Sequence, residues 1–195
     1  MHGLSTIKGV NKLCDGCLIG KQRRTPFSSQ ASYRVGEPLE LVHGDICRPI
    51  KPATPDGKTL FLLLVDDKSR FMWLILLQAK SKAAKAIKRI HARVEAECGN
   101  KMQVLHTNRG KKFTSTNFGK YYDELGMQRH LTGPYSPQQN GVVERQNQTI
   151  VGITRSLLMT TGMPKRFWGE AVMMAVYLLN RSPTRSLDKK TPHEA

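Results

Sequence analysis

Asp45 lies at the end of an alternating stretch of strand length, Leu39 to Ile46, flanked by His43 and Ile46. A carboxylate inside such a strand costs free energy unless it binds something. Glu144 follows a Gln-rich loop and stands in the first turn of a stretch with helical periodicity. There it is either a ligand or a plain charge favoured by the helix dipole. Carboxylates brought together hold hard divalent cations, and two such cations about 3.5–4 Å apart clamp the attacking and leaving oxygens of a phosphoryl transfer. A second chemistry is suggested by Cys14 and Cys17, thiols separated by Asp15 and Gly16. A tight turn of that kind points both sulfurs at one ion, as in half of a zinc site. Tetrahedral zinc needs two more ligands, and upstream only His2 is available, so an unoccupied pair of reduced thiols is the alternative. Cys47 and Cys98 stand alone, and a disulfide framework is not expected in a chain of this length without a secretion signal.

The elements that must position these groups are legible as changes of period. Leu39 to Ile46 alternates, and Leu60 to Val65 and Phe71 to Leu77 are apolar runs of strand length with turn residues between them, which predicts an antiparallel meander. From Lys80 to Glu97 the period becomes helical, with Ala83, Ile87, Ile90 and Val94 on one face and Lys82, Lys85, Lys88, Arg89 and Arg93 elsewhere as a solvated face. Lys101 to Thr107 reads as a strand, Thr116 to Leu125 as a helix capped by Ser115 or Thr116, and Met127 to Leu131 as a strand. A turn-rich loop, Pro134 to Gly141, feeds a helix from Val142 to Met159 through Val143, Ile150, Ile153 and Leu157. Pro164 is expected in the first turn of a last helix running to about Arg181, with a core face through Phe167, Trp168, Ala171, Ala175 and Leu178 or Leu179. Three strands, a helix, a strand, a helix, a strand and a helix follow the order of the ribonuclease H-like fold, an α/β fold with a mixed five-stranded sheet and flanking helices. In that order, carboxylates on strand ends and on a late helix can converge.

The 195 residues suffice for one full domain with a sizeable core plus a small appendage. Residues 1–36, with the run Gly20-Lys21-Gln22-Arg23-Arg24 followed by Pro26 and several serines, read as a broken small module and a basic linker. No stretch approaches the roughly 20 apolar residues of a membrane helix, and Met1 opens no export or organelle signal, so a soluble protein without a membrane partner is expected. Thirty-one Lys and Arg against fifteen Asp and Glu give a formal charge of +16. That imbalance favours a polyanionic partner, nucleic acid first, although ribosomal and chromatin proteins pass the same test.

Four segments carry a resemblance: Cys14-Asp15-Gly16-Cys17-Leu18-Ile19-Gly20-Lys21-Gln22; Val65-Asp66-Asp67-Lys68-Ser69-Arg70; Pro134-Tyr135-Ser136-Pro137-Gln138-Gln139-Asn140-Gly141-Val142-Val143-Glu144-Arg145; and Tyr177-Leu178-Leu179-Asn180-Arg181-Ser182-Pro183. Together they resemble the integrase of copia-type retrotransposons, a part of a Pol polyprotein, over almost the whole chain. The resemblance implies a truncated zinc-binding remnant and basic linker over 1–36 and a retroviral-integrase-type catalytic core over 37–195. It implies a fragment cut at both ends, working on DNA in the nucleus and as a homo-oligomer. It also implies two Mg²⁺ or Mn²⁺ ions held by Asp, Asp and Glu, the last two separated by 35 residues. On that template Asp45 is the first acid, Glu144 the third, and the second falls on Asn108.

The family's usual stretch at this point is Asp, Arg, Gly, Gly, Glu, Phe, and this chain departs from it at Asn108, Lys111 and Lys112. Asn offers one carbonyl oxygen and no charge, and the lysines put positive charge where cations must bind. Impaired metal binding and catalysis are therefore expected, with zinc bound weakly if at all at Cys14 and Cys17. Asp66 and Asp67 are not replacements, because the family carries an acidic pair there besides its three ligands. Lys111, Lys112, Gln139, Asn140, Arg145 and Gln148 are the expected DNA contacts, although at Gln146 and Gln148 relatives often carry Lys or Arg. The rival from another class is a non-catalytic nucleic-acid-binding remnant, separated from an enzyme by metal-dependent strand transfer. A nuclease of the same fold would hydrolyse DNA without joining it.

Overall fold

The structure is a computed structural model that describes residues 35–47, 49–107, 128–131 and 141–195, with 129–131 described by backbone alone. The chain divides into two units, Met1–Ser32 and Tyr33–Ala195, and every described residue belongs to the second. Three strands, β1 (Leu41–Ile46), β2 (Leu60–Asp66) and β3 (Met72–Leu77), pair antiparallel as the meander predicts. After helix α1 (Ala83–Cys98), strands β4 (Val104–Thr107) and β5 (Gln128–Leu131) add on parallel, which completes a five-stranded mixed sheet in the order β3-β2-β1-β4-β5. Helices α2 (Gly141–Thr160) and α3 (Trp168–Asn180) follow.

Every residue of β2 is buried, because its two faces feed two cores. Leu60, Leu62 and Leu64 join Ile87, Ile90 and Val94 of α1, while Phe61, Leu63 and Val65 join Val143 and Ile150 of α2 and Trp168, Val172 and Ala175 of α3. Period-2 alternation in the strand thus meets one helical stripe on each side, which makes a helix, sheet, helix sandwich. Helix α1 ends where Gly99 takes φ +71° and returns its N–H to the carbonyl of Glu95, a left-handed stop that glycine adopts without strain.

Three of the differences between the element boundaries and the sequence reading have a visible cause, while the helix read from Lys80 opens with a 3-10 turn, Lys80–Lys82, before α1. Leu39 takes φ +69° and gives its N–H to the Asp66 carboxylate, so β1 starts only at Leu41. The backbone N–H of Met102 is held by the Glu95 side chain rather than by a strand, which shortens β4. Pro164 does not open the last helix: at φ −56° and ψ 139° it precedes a 3-10 turn, Lys165–Phe167, and α3 begins at Trp168. The stretch read as a helix from Thr116 to Leu125 lies outside the described residues.

Candidate active site

Asp45 lies on β1 opposite Leu63, with its side chain on the face that α2 covers. Glu144 lies in the first turn of α2. Both line one open cleft of about 780 Å³, together with Ile46, Cys47, Asn147 and Gln148 among others. The two carboxylates singled out in sequence, 99 positions apart, are therefore neighbours in space. Burial pushes the Asp45 carboxyl above its usual range. The Ile46 N–H opposes that, the charge of Glu144 adds to it, and the Asn147 amide and Lys80 pull it back. A half-desolvated acid beside a second acid is a place where a cation would be stabilised.

Asn147 donates from Nδ2 to Asp45 Oδ2 at 2.9 Å. Its own amide oxygen is buried and has no hydrogen-bond partner among the described residues, so a third hard oxygen donor lies beside the two carboxylates. These are the donor types that Mg²⁺ takes, and the residues present fit such an ion in kind. Among the described residues, no group of three acidic, histidine or cysteine side chains is close enough to enclose a metal. Sequence reading missed Asn147, Arg155 and Lys80. The first two were findable: residues 144, 147, 148, 151 and 155 recur at spacings of three and four, so one stripe of α2 faces the cleft.

Cys47 also lines the cleft, but burial raises its thiol to about 11, so it stays protonated at neutral pH and supplies no thiolate. Asp66 and Asp67 are occupied elsewhere. Asp66 is fully buried and accepts from the Leu39 N–H at 2.8 Å and from the N–H and hydroxyl of Ser69 at 2.7 and 2.8 Å. Asp67 lies 3.2 Å from His43 Nε2 and 2.9 Å from Arg70, and the bond to His43 is the larger cause that holds its carboxyl below the usual range. The acidic pair thus organises the β2–β3 turn and its junction with β1.

Of the expected DNA contacts, Gln148 lines the cleft, whereas Arg145 is exposed on the same helix outside its lining. Asn108, Lys111, Lys112, Gln139 and Asn140, and the cysteines Cys14 and Cys17, lie outside the described residues. Strand β4 ends at Thr107, paired with Gly44, one residue before Asp45 on the neighbouring strand.

Residues 36–137 match the family described as integrase core domain. The chain is similar to the Retrovirus-related Pol polyprotein from transposon TNT 1-94 of Nicotiana tabacum, 40% identical over 97% of this chain and 14% of that protein. It is also similar to the Retrovirus-related Pol polyproteins from transposons RE1 and RE2 of Arabidopsis thaliana, each 29% identical over 99% of this chain and 13% of theirs. It therefore spans about one seventh of the length of these curated relatives. Among solved structures it is similar in fold to a chain of the simian T-cell lymphotropic virus intasome in complex with PP2A regulatory subunit B56 gamma. That match has a TM-score of 0.69 and 18% identity over 89% of this chain and 59% of that one.

Proposed function

The chain belongs to the integrase core domain family, as a retrotransposon integrase fragment, and from that premise we propose that its cleft is a DNA-processing and strand-transfer site of impaired activity. The observation that carries the reading is the meeting of Asp45 and Glu144 in one cleft, with Asn147 fastened to Asp45. In this reading Asp45, Glu144 and residue 108 hold Mg²⁺ or Mn²⁺. When bound, the metal polarises phosphate oxygens and lowers the pKa of a bound water. The protein's own part is positional. The Asn147 N–H fixes one oxygen of Asp45, β1 and α2 set the two acids against each other, and the DNA backbone is assigned to Arg145 and Gln148 and, from the sequence, to Lys111, Lys112, Gln139 and Asn140. The division into a zinc-module remnant over 1–36 and a core over 37–195, and self-association of the chain, belong to the same proposal.

The impairment is assigned to Asn108. Losing one carboxylate of a two-metal site forfeits several kcal/mol of charge stabilisation, on the order of a thousandfold in rate. The test is strand transfer of labelled DNA ends with Mg²⁺ or Mn²⁺, by this chain and by Asn108→Asp. The expected result is near-background activity in the first and a clear gain in the second, held below the full thousandfold by Lys111 and Lys112. Robust activity in the unaltered chain would remove the claim of impairment. Retained DNA binding with no activity in either version would favour the non-catalytic remnant, a reading that Asn108 itself keeps in view.

A further inference from the structure

Beyond the carboxylates the cleft does not end. Pro49, Ile50, Val151 and Arg155 line it and also line a second groove of about 660 Å³ that runs on along α2 toward the turn into α3. Ile50 and Leu158 are half-buried there, while Met159 is 83% and Met163 42% exposed. Exposed large apolar side chains in the lining of one groove mark a contact surface. Three exposed cations, Lys51, Arg155 and Lys165, border the groove, no acidic residue lines it, and none of the three is ion-paired among the described residues.

From this geometry we propose that the groove takes a single-stranded nucleic acid segment leaving the carboxylate cleft, with its phosphates on Lys51, Arg155 and Lys165 and a base or sugar against Met159 and Met163. The inference rests on the reading of the cleft as a DNA site and names where the strand goes next. Three features select this occupant. A volume of this size suits one or two nucleotides rather than a duplex. Apolar lining bordered by cations is the composition of single-strand grooves, which follow the backbone by charge and tolerate any base face. Arg155 borders both spaces, so a phosphate chain passing from one to the other meets a cation at the junction. Eleven residues of helix separate Glu144 from Arg155, roughly 16 Å at 1.5 Å per residue. An overhang of several nucleotides is therefore needed to reach from one to the other.

The test measures binding of the whole chain to a blunt duplex and to the same duplex carrying an overhang of about six nucleotides on either strand, across a range of salt. The expected result is that one overhang binds about tenfold tighter than the blunt duplex, the scale of one sheltered base. In Lys51→Ala/Arg155→Ala/Lys165→Ala that preference should vanish, and the salt slope for the overhang should fall by about 2, at roughly 0.7 per lost cation. A control on α1, Lys85→Ala/Arg89→Ala/Arg93→Ala, should weaken all three DNAs and keep the preference. Met159→Glu, which changes a side chain in open solvent, should lose it with the fold intact. Equal binding of blunt and overhang DNA by the unaltered chain, or a preference that survives the groove variant, overturns this inference alone. No binding to any of the DNAs at low salt overturns the functional reading with it. A Glu-rich peptide that binds the unaltered chain but not the groove variant, while the DNAs bind alike, assigns the groove to an acidic protein and also overturns the proposal.

Discussion

Asp45 is held where its charge is unwelcome unless a cation arrives. Burial, opposed in part by the Ile46 N–H and reinforced by Glu144, raises its carboxyl above 3.8 in the folded chain. The consequence for stability has a definite sign. Below 3.8 both folded and unfolded chains keep the proton. As pH rises, the unfolded chain releases it first, so stability falls until the folded carboxyl has also ionised, and the penalty stays in full above that point. In a chelating buffer at pH 7, Asp45→Asn is therefore expected to melt at a higher temperature than the unaltered chain, and the two should converge toward pH 3.8. With Mg²⁺ added, only the unaltered chain should gain. Thermal melts with and without metal check this, and an Asp45→Asn melt no higher than that of the unaltered chain in chelator would mean the acid is not strained. Asp45 was legible in sequence because an acid in an apolar strand is conspicuous. Asn147 was legible only as a position on the α2 stripe that faces the cleft, whereas its bond to Asp45, across 102 positions, is encoded by no local pattern.

The elements were legible wherever one period ran long, and misread where a single side chain reset the backbone. The stripe of Ala83, Ile87, Ile90 and Val94 fixed which face of α1 is buried, and all four are. Asp66, by contrast, is a β-strand residue whose carboxylate captures the backbone of Leu39, a contact across 27 positions that no local pattern encodes. The end of α3 is a similar case. Asn180 accepts from the Met72 N–H at 3.0 Å and donates to the Met72 carbonyl at 2.9 Å, so the helix terminus completes the outer hydrogen bonds of the edge strand β3. The sequence marked Asn180 only as part of a resemblance, and the structure supplies its physical reason. Both Met72 groups are buried, and each loses its partner in Asn180→Ala. At about 1–3 kcal/mol per buried group left unsatisfied, a cost of roughly 2–4 kcal/mol is expected. Urea titration should show a lower midpoint with an unchanged slope. Asn180→Asp should rescue only in part, because it restores the acceptor and not the donor.

At the scale of the whole molecule, charge and fold do separate jobs. Residues 1–36 carry six Lys and Arg against one acid, which leaves 25 against 14 in the remainder, so the positive field is spread along the chain rather than gathered in one patch. The described exposed cations lie on α1 and α2, beside the groove, in the loops at Lys68 and Lys101, and after α3 at Arg181, Arg185, Lys189 and Lys190 among others, while the apolar stripes that pack the two cores would serve a chain of any net charge. A field of this kind attracts phosphate without reading bases, since the sequence contains no motif for base-edge contacts. Binding to duplexes of unrelated sequence is therefore expected to agree within a few-fold. Raising salt from 50 to 200 mM should weaken all of them together, by about a thousandfold or more if six or more phosphates are neutralised. Arg145→Ala should lower the salt slope by about 1 on every sequence, the mark of a single phosphate contact. Titrations of two unrelated duplexes at several salt concentrations measure both quantities. A strong preference for one sequence that persists at high salt would show base recognition, and the charge would then explain only the encounter and not the complex.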